Sequence, residues 1–206
     1  MDNQKLNWVG IRVSGESSSG DIEKIILDAV LECPDDLRLA SLLFSWLKVH
    51  GNYVIVEKLR KLVSKAELNI RQRMWISVLA VYGKNNCSHK WKSLIYIPEG
   101  NTYLLPDKIS KTAIALKGSE EWLSEYQILL PKGTLRIREE DIMDPTLLIK
   151  KNLQYKNRYL FGPSWRADII TAIQEGCNSP TAIMKKIGCS YEPAYRIFHE
   201  YSLAQA

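Results

Sequence analysis

Ser179-Pro180-Thr181-Ala182-Ile183-Met184-Lys185-Lys186-Ile187-Gly188-Cys189-Ser190 carries the strongest structural signal in this chain. A serine followed by proline is the N-cap and first position of a helix. The hydroxyl accepts an amide that has no intrahelical partner, and proline has no amide to lose there. Ala182, Ile183 and Ile187 give the helix from Thr181 to Ile187 its buried side. Gly188 supplies the left-handed residue that a tight helix-to-helix turn needs. On either side the pattern recurs. Ser164 caps an earlier helix with Ile169, Ile170, Ala172 and Ile173 on its buried face, stopped at Gly176. Ser190 caps a later helix running to about Tyr201, with Ala194, Ile197, Phe198 and Tyr201 as its inward stripe.

The opposite face of that last helix shows Tyr191, Glu192, Tyr195, Arg196 and His199. In a helix-turn-helix the second helix enters the major groove with its N-terminal residues on base edges. Arginine pairs with guanine through two hydrogen bonds, a carboxylate accepts from cytosine, and tyrosine packs on a thymine methyl. The spacing therefore predicts base reading by Tyr191, Glu192, Tyr195 and Arg196. Arg166, Ser179, Lys185, Lys186, Ser190 and His199 are placed to hold the phosphate backbone.

Here the residues resemble a known group. Ser179 to Ser190 is similar to the second helix and turn of bacterial winged-helix transcriptional regulators, and Tyr191 to Tyr201 looks like their recognition helix. The resemblance covers about a fifth of the chain and implies double-stranded DNA as the partner. One departure matters: a wing hairpin would follow the third helix, yet only Ser202 to Ala206 remain, so a full wing is not expected. A single recognition helix rarely makes enough contacts, which favours a homodimer. The layout also resembles the antitoxins of bacterial toxin–antitoxin pairs. That sets a second expectation, a protein-interaction adaptor that binds and neutralises a protein partner.

Charge follows the same division. The net charge is +5, and from Lys150 to Ala206 eight Lys and Arg stand against four Asp and Glu, leaving +1 for the rest. A basic excess in the segment that meets phosphates is the expected asymmetry. No apolar run reaches the length that spans a membrane, and Met1 to Gly20 lacks the layout of a secretory signal, so a cytoplasmic location is expected. Four scattered cysteines without a C-x-x-C pair are expected to be reduced there.

Along the chain, residues 1–20 read as a flexible N-terminal arm outside the core, with Ser14 to Gly20 its most polar part and Asn7 to Val13 a short strand. Residues 21–86 read as a helical domain. Its helices carry Ile22 to Val30, Leu37 to His50, Val54 to Val63 and Ile70 to Tyr82. Residues 87–149 change period. Ser93 to Ile97, Thr102 to Leu105, Thr112 to Leu116, Tyr126 to Leu130 and the alternating Thr134 to Arg138 read as strands, around a short helix at Ser119 to Glu125. Asp144-Pro145 opens a helix, residues 150–163 form a basic linker, and residues 164–206 are the helix-turn-helix domain. The expected class is α+β: an N-terminal helical bundle, a small antiparallel β-rich middle unit and a C-terminal three-helix helix-turn-helix.

Catalytic patterns are wanting. There is no glycine-rich phosphate loop, and no Glu after Pro106-Asp107 is followed two residues on by Lys, as a nuclease of that type requires. Cys87 and His89 lack a second ligand pair, so no metal is expected. Glu139-Glu140-Asp141 with Asp144 reads as a solvated acidic run. No cofactor and no enzyme activity are expected. Val54 to Tyr82 offers a second, looser helix-turn-helix, with Arg60, Lys61, Arg71 and Arg73 as phosphate contacts.

Overall fold

The structure is a computed structural model that describes residues 2–13 and 20–204. The chain divides into two compact units, Met1–Asp144 and Pro145–Ala206.

The first unit holds α1 (Asn3–Trp8), α2 (Ile22–Glu32), α3 (Leu37–His50), α4 (Val56–Lys65), α5 (Ile70–Asn86) and α6 (Asp107–Lys117). Side-chain caps start the main helices. Asp21 accepts from Lys24 N, Asp36 from Arg38 N and Leu39 N, and Asn69 forms a reciprocal capping box with Gln72. α5 is the axis of the core. Every residue from Met74 to Gly83 is buried, as expected of a helix apolar on all sides. Of the N-terminal half of α5, that burial leaves only the first turn, with Ile70, Arg71 and Arg73, exposed to meet a groove. Arg71 is turned to Pro34 O and Asp35, and Arg73 to Leu68 O.

Trp46, Trp75 and Trp91 are fully buried around this axis. Trp91 lies flat on Gly83: a Cβ there would overlap Trp91 Cδ2 and stand 2.8 Å from its Cγ and Cε2. Gly83→Ala gains about 1 kcal/mol of helix propensity but must displace a buried indole. We expect a net loss of about 2 kcal/mol in urea unfolding. A neutral result would show that Trp91 can move aside.

The expected α+β class does not hold. Helix accounts for 68% of the structure, and the only sheet among the described residues pairs β1 (Thr102–Tyr103) with β2 (Ile128–Leu129) in parallel. The chain is nearly all-α, with no antiparallel β-rich middle unit. The reason lies in where the backbone groups of the extended segments find partners. Around Tyr96 they meet a serine of α5: Tyr96 N donates to Ser77 Oγ (3.0 Å) and Ser77 Oγ donates to Tyr96 O (2.7 Å). In Thr134 to Arg138 the amides of Arg136 and Arg138 donate to Ser41 Oγ and Ser45 Oγ of α3, at 3.1 and 2.8 Å. Serine hydroxyls on helices thus replace the neighbouring strands that alternation implied. Thr112 to Leu116 lies within α6, which follows Pro106. Leu94 ends a 3-10 stretch, His89–Leu94, and Glu121–Tyr126 is a second one.

The N-terminal residues also differ from a free arm. Leu6, Val9 and Ile11 are buried, Ile11 bridges Ile142 antiparallel, and Trp46 Nε1 donates to Val9 O at 2.7 Å. Of the stretch expected to be flexible, Ser14 to Ser19 lie outside the described residues.

The second unit is helical throughout: α7 (Pro145–Lys151), α8 (Leu153–Phe161), α9 (Trp165–Gln174), α10 (Pro180–Ile187) and α11 (Tyr191–Leu203). The segment 150–163, expected as a linker, carries α8 and packs on α9. Among the described residues no helix is long and apolar enough to cross a membrane.

Candidate nucleic-acid interface

α10 begins where the sequence places it. Ser179 has extended backbone and its Oγ accepts from Ala182 N at 3.3 Å, with Pro180 in the first turn. Gly188 ends the helix at φ +74°, ψ 19°, a left-handed conformation that costs a residue with a Cβ, and its amide closes on Met184 O. Only Gly188, Cys189 and Ser190 separate α10 from α11. Ser164 and Ser190 stand at the N-cap positions of α9 and α11 with extended backbone but make no side-chain cap bond.

The three helices close on Ile169, Ile170, Ala172, Ile183, Cys189, Ala194 and Ile197, with Trp165, Ile187, Phe198 and Tyr201 packed at the edge. Burying a side chain such as Ile183 contributes about 1.5–3 kcal/mol. Ala194, fully buried, has the small side chain that close helix approach requires.

This core sets the outward face of α11. Tyr191, Glu192, Tyr195, Arg196 and His199 are all exposed on it. Their rings form a ladder at i, i+4 spacing, with Tyr191–Tyr195 centroids 5.9 Å apart and Tyr195–His199 centroids 4.3 Å apart. The cations sit beside carboxylates. Arg196 Nε lies 3.6 Å from Glu192, Arg166 Nη1 lies 2.9 Å from Glu200, and Lys186 Nζ lies 2.7 Å from Glu175. Exposed pairs of this kind are worth about 0–1 kcal/mol, so an arriving phosphate competes with them easily. Lys185 makes no ion pair among the described residues. Ser179 accepts the cap bond through its oxygen and keeps its O–H as a donor, and Ser190 is exposed.

The fourth acid of this segment is Asp168, and it is buried. Arg158 on α8 meets it through Nε–Oδ1 at 2.8 Å and Nη2–Oδ2 at 2.9 Å, and Gln154 Nε2 adds a bond at 3.1 Å. One turn along, Asn157 Nδ2 donates to Thr171 Oγ1 and Gln174 Oε1. A buried polar seam therefore joins α8 to α9. Sequence reasoning missed it because residues 150–163 read as a basic linker, in which polar side chains have no buried partner to find. The signal was present in the ends: Asn152 caps α8 by accepting from Tyr155 N, and Gly162-Pro163 stops it. With each of the four acids beside one cation, the excess charge of the unit falls on Lys150, Lys151, Lys156 and Lys185. Three of these lie on α7 and α8, outside the helix-turn-helix proper.

Cys87 and His89 are not drawn together as ligands. Cys87 Sγ points to Leu47 O, and burial pushes its thiol up to about 11, while His89 is exposed. In the acidic run, Glu139 is bridged to Lys48 at 2.7 Å. No protein-family model matches the chain, and no match is found to it among curated proteins or solved structures.

Proposed function

We propose that the chain is a sequence-specific DNA-binding transcriptional regulator of the cytoplasm, working by site occupancy rather than catalysis, with α11 as its recognition helix. The observation that supports this reading is the three-residue Gly188 turn. It presents Tyr191, Tyr195 and Arg196 on one exposed face while Ala194 and Ile197 hold the opposite face in the core. Glu192 restrains Arg196 in the free protein and accepts from cytosine in the complex. Lys185, Lys186, Arg166, Ser190 and His199 hold phosphates, and two copies of the chain bind together to gather enough contacts.

The experiment is selection from a randomised duplex pool, followed by titration of two variants on the enriched site. Arg196→Ala is expected to cost about 1–3 kcal/mol there and to relax preference at one base pair. Lys185→Ala is expected to weaken every sequence alike and to flatten the salt slope by about one. Discrimination unchanged in Arg196→Ala removes that residue from base reading.

One observation favours a second reading, a protein-interaction adaptor of the antitoxin kind. The outward face of α11 is rich in stacked rings, and its arginine already has a carboxylate neighbour, a composition that suits a protein interface as well as a groove. A pool that enriches no sequence supports that reading.

A further inference from the structure

A concavity of about 440 Å³ in the first unit is lined by four arginines, Arg12, Arg38, Arg136 and Arg138. They come from three separate stretches, and the backbone of each is pinned. Arg12 N donates to Asp141 O at 2.8 Å, and Arg38 N donates to the Asp36 cap at 2.9 Å. Arg136 N and Arg138 N are held by Ser41 and Ser45. Extended backbone turns every second residue to the same side, so Thr134, Arg136 and Arg138 face the cavity together. None of the four guanidinium groups makes a hydrogen bond or ion pair among the described residues. Among the described residues Asp141 is the only carboxylate on the wall, and Leu37 and Leu42 supply its apolar part.

Four like charges gathered around a single carboxylate, Asp141, repel one another, a cost that a bound anion reverses. The hydroxyls at hand are already donating, Ser41 to Leu37 O and Thr134 to Pro131 O, so donors for a ligand come from the arginines alone. A planar guanidinium fork matches two oxygens of a phosphate, and the volume lies in the range of small-molecule sites.

We propose that this cavity binds a small ligand carrying two or more phosphate groups, held by Arg12, Arg38, Arg136 and Arg138. The site is built from residues of the first unit, and the inference does not depend on DNA binding.

The test is calorimetric titration of the full chain with inorganic tripolyphosphate, with citrate as an anion that lacks phosphate. Arg136→Gln with Arg138→Gln is expected to weaken tripolyphosphate binding by about tenfold to a hundredfold. Asp141→Asn is expected to tighten it several-fold, because a repelling charge is removed. Lys65→Gln, exposed and away from the cavity, is expected to leave it unchanged. Tripolyphosphate should also raise the thermal midpoint by roughly 5 °C or more near hundredfold saturation. The proposal is overturned by no heat at millimolar tripolyphosphate, by equal binding of citrate, or by an equal loss in Lys65→Gln. It is overturned too if these arginines govern duplex DNA binding and leave tripolyphosphate unaffected.

Discussion

Asp168→Ala is expected to unfold much of the C-terminal unit at room temperature. The substitution removes the bidentate partner of the fully buried Arg158 guanidinium and the Asp168 acceptor of Gln154. Breaking a buried pair from one side costs about 3–5 kcal/mol, because a buried charge loses the group that matched it. A unit of about sixty residues has a total stability of only about 3–9 kcal/mol. Hydrogen exchange at the amides of α8 and α9 reads the loss locally. The paired substitution Arg158→Leu with Asp168→Leu is expected to recover most of it, since replacing both charges by apolar groups is often nearly neutral. A loss below 1 kcal/mol in the single variant would mean that water reaches Arg158. Asp168 lies inside the fold, so any loss of DNA binding in the single variant should return with stability in the paired one.

His50 gives the first unit a dependence on acidity. Its ring is buried on α3 and its Nε2 donates to Met143 O at 3.0 Å. Burial drives its pKa down to about 4, against a smaller opposing effect of the Met143 carbonyl and Asp144. The folded protein thus keeps the ring neutral where the unfolded chain, near 6.5, has already taken up a proton. Protons bound to the unfolded state favour it, so stability is full above pH 6.5 and falls as the pH drops from 6.5 to 4. Below 4 both states are protonated and this contribution changes no further. The loss amounts to about 3 kcal/mol across the window. The clean measurement is the difference between wild type and His50→Gln in urea unfolding at pH 7 and pH 4.5. His50→Gln is expected to be the less stable at pH 7, where it has a disturbed hydrogen bond, and to lose less on acidification. Parallel pH profiles for the two proteins would show that His50 is already hydrated.

Which features could be read from the residues depends on how local their causes are. Ser179-Pro180 and Gly188 state the ends of α10 within a dozen residues, and the stripe Ala194, Ile197, Phe198, Tyr201 states which way α11 faces. Caps at Asp21, Asp36 and Asn69 announce the helices of the first unit in the same way. The middle of the chain misled for a definite reason. Alternation in Thr134 to Arg138 correctly signals extended backbone with one face turned outward. It does not say that Ser41 and Ser45, more than ninety residues earlier, take the place of a neighbouring strand. Leu6, Val9 and Ile11 looked peripheral because their partners, among them Trp46 and Ile142, also lie far off in sequence. The Arg158–Asp168 seam was hidden by its polarity, since a buried ion pair and a solvated one are written with the same letters. The arginine cavity was hidden by its origin in three stretches, none of them strongly basic alone.

The most direct measurement is the affinity of the purified protein for the duplex enriched by selection, compared with random duplex across a salt series. The account predicts a preference of at least about a thousandfold for the selected site, with affinity falling steeply as salt rises. Equal affinity for both duplexes, abolished by modest salt, would contradict it. Such binding is charge attraction without reading, and the exposed rings of α11 would then belong to a protein interface.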